Sequence, residues 1–148
     1  MSTMINKKAM AAYGAQSLDA DVAAASPHRL IILLYDGAIQ SVTLARMFME
    51  NGSIAEKGAA ISKAIAIIED GLRLSLDRET GGELADNLDA LYEYMSHVLL
   101  EANLHNRLDS LDQILILLKD LREAWESIPF DARHQSSAQV EAIQHGRV

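Results

Sequence analysis

Between Leu30 and Ile128 apolar residues return every three or four positions, the period of one face of an α-helix. In the first stretch Ile31, Tyr35, Ala38, Val42, Ala45 and Met49 alternate by four and three. Ser26-Pro27 marks its start, with serine as N-cap and proline at the first helical position, where a missing N–H removes no bond. Asn51-Gly52 ends it. A second helix sets Ile54, Gly58, Ile61, Ile65, Ile68 and Leu72 on one face and runs to about Asp77, ahead of a Thr80-Gly81-Gly82 turn. Ser53-Ile54-Ala55-Glu56 at its start predicts a capping box, in which serine and glutamate each satisfy an orphan N–H. The third helix begins near Glu83, with Leu84, Leu88, Leu91, Met95, Val98 and Ala102 in register, and a polar break from Asn103 to Arg107 follows. Ser110-Leu111-Asp112-Gln113 predicts a second capping box. Leu111, Ile114, Leu118, Leu121, Trp125 and Ile128 make the fourth stripe, closed by Pro129. Such helices joined by short connections predict an all-α fold, an antiparallel four-helix bundle over residues 26–130. Residues 1–25, where Met10, Tyr13, Leu18 and Val22 are isolated apolar points, read as an N-terminal arm or short extra helix. Residues 131–148 are polar and aperiodic and read as a flexible C-terminal tail.

One apolar stripe per helix suffices for such a bundle, yet more are present. The second helix repeats the spacing with Ala60, Ala64, Ile67, Gly71 and Leu74, and its small residues would let another helix approach closely. Leu30, Leu33, Leu34 and Ile39 widen the first helix, Tyr92, Leu99 and Leu100 the third, and Leu115, Ile116 and Leu117 the fourth. Two readings stand. Surplus apolar surface marks a contact face, or a wide stripe simply fills the core of a globular bundle.

Composition narrows the function. The chain has 148 residues, 49% of them hydrophobic, which is one domain's worth of core. A net charge of −8 without a cluster of Lys or Arg argues against nucleic acid. No cysteine is present, so thiolate chemistry and zinc–thiolate sites are excluded. The strongest apolar run, Leu30 to Tyr35, is far shorter than the roughly 20 residues of a membrane span, and the Lys7-Lys8 region followed by Asp19 and Asp21 makes a poor secretory signal. A soluble cytoplasmic protein with no membrane insertion is expected. His97, Glu101 and His105 share a helix face, but a bundle di-metal site needs Glu-x-x-His pairs, and none occurs. They read as a solvated polar ladder. Without a phosphate loop, serine elbow or buried carboxylate pair, no enzyme, metal or cofactor is expected.

From Tyr13 to Trp125 the chain resembles the FliS family. The resemblance is carried by Ala25-Ser26-Pro27-His28-Arg29-Leu30, Leu34-Tyr35-Asp36-Gly37-Ala38, Ile67-Ile68-Glu69-Asp70-Gly71-Leu72 and Ser75-Leu76-Asp77. Gly81-Gly82-Glu83-Leu84-Ala85, Leu91-Tyr92-Glu93-Tyr94-Met95, Leu100-Glu101-Ala102-Asn103 and Ala124-Trp125 continue it in the same order. Two positions depart from the family pattern: only one tyrosine, Tyr13, lies in the arm, with Met10 a turn earlier, and Asn106-Arg107 stands where Asn-Asp is usual.

The resemblance implies a cytosolic, ATP-independent chaperone that wraps the C-terminal segment of flagellin in apolar grooves and delivers it to the flagellar export gate. The expected groove is Ile65, Ile67, Leu72 and Leu74, walled by Leu30, Leu34, Tyr92, Met95 and Leu99. Heptad position does not separate groove from core, so part of this set belongs inside. Met10 and Tyr13 are expected to cover apolar surface when the client is absent, or, for Tyr13, to contact the gate. Trp125 is expected to plug the core. The alternative is a self-associating helical bundle whose extra stripes build a homodimer.

Overall fold

A computed structural model describes residues 26–128. Helix α1 spans Pro27–Glu50, and its cap forms as expected, the Ser26 hydroxyl accepting from the Arg29 N–H at 3.1 Å. The chain reverses at Gly52, whose φ of +77° suits glycine. Helix α2 spans Ile54–Ala66. The expected capping box is absent there: Ser53 makes no side-chain cap, and its hydroxyl donates instead to Asn51 Oδ1, 2.6 Å away. Helix α3 covers Gly82–His105, running through the expected polar break to a left-handed Asn106, and α4 covers Leu108–Glu126. Ser110 therefore lies inside the first turn of α4, where it cannot act as N-cap, and the second capping box is likewise absent. Pro129, the arm and the tail lie outside the described residues.

Below Ala66 the second helix changes character. Ile67–Arg73 is π-helical, a wider turn that admits one extra residue. Adjacent pairs thereby face inward together: Ile67 with Ile68, and Gly71 with Leu72, all buried. Gly71 lies so close to α1 that a Cβ there would sit 2.8 Å from Leu34 Cδ2. The two apolar rows on this helix are thus largely one inner face. Ala64, Ile67 and Gly71 serve the core and leave no separate outer stripe.

Side-chain pairings fix the helix directions. On α1 and α4, Asp36 meets Arg122 while Arg46 meets Asp112. On the second and third helices, Arg73 meets Asp89, Glu69 accepts from Ser96, and Lys57 reaches Asn103 and Asn106. Both pairs run antiparallel. Helix α1 has the broadest interfaces, against α2 and α4, and α3 is held more lightly by its two neighbours.

The core joins Leu34, Ala38, Val42 and Ala45 to Ile61, Ile68, Leu72, Met95, Leu99, Leu111, Ile114 and Leu118. Each large side chain buried this way contributes about 1.5–3 kcal/mol before conformational entropy is counted. One polar contact crosses this interior, Tyr35 to Tyr92, hydroxyl to hydroxyl at 2.7 Å. Trp125 is not the fully buried plug expected. It is half-buried against the core, its ring stacked on His28 at 5.5 Å and its Nε1 donating to the His28 carbonyl at 3.3 Å.

Candidate functional site

Of the side chains expected to line a groove, Leu34, Ile67, Leu72, Tyr92, Met95 and Leu99 are sealed in the core, none more than 3% exposed. The cause is the merged inner face of the second helix, which meets α1 and α3 with the residues that heptad spacing left ambiguous. Leu30 and Ile65 are half-buried against the same core, and Leu74 stands open. These residues do not form one open channel. Met10 and Tyr13 lie outside the described residues.

An open apolar surface exists elsewhere. At the end of the bundle where α2 begins and α3 stops, a shallow groove of about 530 Å³ runs between the two helices. Ile54 and Leu104 line it, respectively 74% and 66% exposed. Leu100, also exposed, stands one turn before Leu104 and extends the row along α3. Besides Ile54 and Lys57, the α2 side is made of small residues: Ala55, Gly58, Ala59 and Ser62. A Cβ added at Gly58 would meet nothing within 4 Å, so the groove is open above the helix backbone. Leu104 on the α3 wall, Ile54 at the head of the α2 wall and the small residues that follow it suit the apolar stripe of a further helix.

The groove has a polar end. Lys57 turns inward, only 5% exposed, and its ammonium donates to the Asn103 carbonyl at 3.0 Å and to Asn106 Oδ1 at 2.6 Å. It thereby caps the C-terminus of α3, where a cation complements the helix dipole. Asn106 holds the left-handed conformation that stops the helix, at φ 52°.

The opposite half of the α2–α3 seam is ionic. Arg73 pairs with Asp89, Glu69 and Glu93, and Arg78 adds to Asp89. Hydrogen bonding to Asp89 holds the Arg73 guanidinium charged far above its ordinary range, and the same bond holds the Asp89 carboxyl below the usual carboxylate range. Burial pushes the Tyr35 phenol up to about 12 and the Tyr92 phenol well above its ordinary value.

His97 and His105 flank Glu101 at 3.9 and 3.4 Å, all three exposed. Among the described residues no His, Asp or Glu group is arranged to hold a metal ion. Helix α1 is long and apolar enough to cross a membrane. Here it is the hub of the bundle, burying Tyr35, Ala38, Val42 and Ala45 between its neighbours.

The apolar spacing puts Ile54 in the core row and Leu104 in a polar break, and it gives Lys57 no role. One signal was available. A lysine at position 57 and an isoleucine at position 54 exchange the usual roles of inward and outward places over the first turn of α2.

The profile of the family described as "Flagellar protein FliS" matches residues 9–132. A Pseudomonas aeruginosa protein named flagellar secretion chaperone FliSB is 49% identical over 125 residues, 84% of this chain and 98% of its own. The Salmonella typhimurium flagellar secretion chaperone FliS is 44% identical over 134 residues, 90% of this chain and 99% of its own. Its Escherichia coli counterpart is 39% identical over 83% of this chain and 90% of its own.

Proposed function

The chain belongs to the FliS family, and on that premise we propose that it is a cytoplasmic export chaperone for flagellin. It holds the C-terminal helical segment of flagellin, keeps it from polymerising early, and delivers it to the flagellar type III export gate. The family is one of chaperones and not of enzymes. One observation carries the reading: among the exposed large apolar side chains of the described residues, which also include Leu44, Met47, Leu74, Tyr94 and Ile116, only Ile54 and Leu104 line the groove with small residues on its α2 side, and Leu100 continues their row. A client that folds on binding needs a large apolar contact to offset its own ordering. Leu74, Leu30 and Ile65 lie apart from that groove and would add separate contacts farther along the second and first helices, and the buried set Leu34, Ile67, Leu72, Tyr92, Met95 and Leu99 supports the bundle from within. Met10 and Tyr13 of the arm cover apolar surface until the client arrives, and Tyr13 then serves the gate.

The test is calorimetric titration with a peptide of roughly 40–50 residues from the C-terminus of the host's flagellin, long enough to bury the area that coupled folding demands. Tight binding with a large negative heat-capacity change is expected. Ile54→Ser and Leu104→Ser, at exposed positions where stability should move by no more than about 0.5 kcal/mol, should each weaken binding about tenfold, the equivalent of about 1.4 kcal/mol of lost contact. If no heat or mobility shift appears, the chaperone reading fails. A concentration-dependent dimer in light scattering, disrupted by the same substitutions, would then assign the groove to a second copy of the chain.

A further inference from the structure

Three arginines reach from one helix to another, Arg46, Arg73 and Arg122, and each meets a carboxylate there. Lys57 does not. An ammonium has three N–H donors and accepts nothing; two of its donors go to the Asn103 carbonyl and the Asn106 side chain, both neutral. Among the described residues no carboxylate pairs with it, although it is only 5% exposed. A cation out of water is costly unless an anion or several dipoles answer it, and the dipole of α3 answers only in part. Because the ammonium only donates, the Asn106 atom facing it is the carbonyl Oδ1. The amide N–H2 of Asn106 then donates to no acceptor among the described residues. Lys57, Asn103 and Asn106 all line the groove, at the end where α3 stops.

We propose that this end of the groove is a receptor for a chain-terminal carboxylate, so that the helix lying against Ile54 and Leu104 is held by its own C-terminus. This rests on the reading that the client is a C-terminal segment. A helix C-terminus gathers negative charge in one place: the unpaired carbonyls of its last turn, the negative end of its dipole and, at the end of a chain, the α-carboxylate. A side-chain carboxylate along the client helix brings only one of these. The receptor supplies what such an end lacks, a buried ammonium with no carboxylate partner among the described residues and one N–H left over, beside a second N–H donor on the exposed Asn106.

The experiment titrates the full chain with the flagellin C-terminal peptide in two forms, free acid and C-terminal amide. Two variants accompany the parent. Asn106→Asp keeps the left-handed turn, which aspartate tolerates, and gives Lys57 a carboxylate within the chain. Lys57→Met removes the charge and keeps an apolar stem, a replacement that buried charges often accept. The parent should bind the acid about tenfold more tightly than the amide, the ratio that one charge-assisted hydrogen bond carries. In both variants the two forms should bind alike. Equal binding of acid and amide by the parent overturns the proposal, as does an acid preference that survives in Asn106→Asp. So does a preference that moves with replacement of an internal Asp or Glu of the peptide. If neither form binds the parent, the client reading itself fails, and the receptor with it.

Discussion

Two glycines on the second helix should respond to the same substitution with opposite sign. Replacing glycine by alanine in a helix gains up to about 1 kcal/mol, because the unfolded chain loses freedom and the helix exposes less backbone. At Gly58 nothing lies within 4 Å of the added Cβ, so Gly58→Ala should stabilise by about 0.5–1 kcal/mol. At Gly71 the new carbon would stand 2.8 Å from Leu34 Cδ2 and 3.3 Å from Cδ1. Leu34 is fully buried within the core cluster, so its methyls yield only by moving against core neighbours, and overfilling a packed core costs about 1–3 kcal/mol. The net for Gly71→Ala is a loss of about 1 kcal/mol. Since both changes alter the unfolded chain alike, their difference isolates the steric term. Urea unfolding reads it as a shift of the midpoint at unchanged slope, and for a domain of this size each kcal/mol moves Tm by roughly 4–8 °C. Gly71→Ala as stable as the parent would refute the close seating of the π-helical segment on α1. Gly58→Ala less stable than the parent would refute the open groove floor.

Tyr35→Phe should cost about 1–3 kcal/mol by leaving a buried Tyr92 hydroxyl unpaired, whereas adding Tyr92→Phe should recover much of that loss, because an apolar pair has nothing to satisfy; a double-mutant cycle by denaturation measures the coupling. Both phenols titrate above their unfolded value of about 10, so their contribution is complete below pH 10 and is lost as pH climbs toward 12; the Phe variants should show a shallower alkaline loss of stability. On the acid side the Asp89 carboxyl titrates below its ordinary value. Its contribution is present above about pH 4 and is lost as pH falls through the depressed value, so Asp89→Asn should be less stable at neutral pH and flatten part of the decline below pH 4, read from urea midpoints between pH 2.5 and 7.

What could be read from the chain was what local chemistry decides. Ser26-Pro27 starts a helix wherever it falls, and Asn51-Gly52 stops one. The two capping boxes had the right letters, but the Ser53 hydroxyl found a nearer acceptor in Asn51, and α4 begins before Ser110 because Asn106 turns the chain early. The π-helical segment could not be seen, since Ile67, Ile68, Gly71 and Leu72 fit two ordinary helical rows equally well. Of the candidate site, the residue types were legible and their facing was not. Six of the nine side chains named for the groove complete the core, and Ile54 and Leu104 stand open because Lys57 takes the inward place beside them and α3 continues past Asn103.

The uneven grip of the bundle on α3 has a kinetic meaning. Helix α1 is locked against both neighbours, while α3 is the helix most lightly held and forms one wall of the groove. The least protected amides in hydrogen exchange should therefore map to α3. With a client helix in the groove as proposed, a wall that opens within a frame that stays folded would let that helix enter or leave without unfolding its holder, and unloading would then follow the breathing of one helix and need no nucleotide.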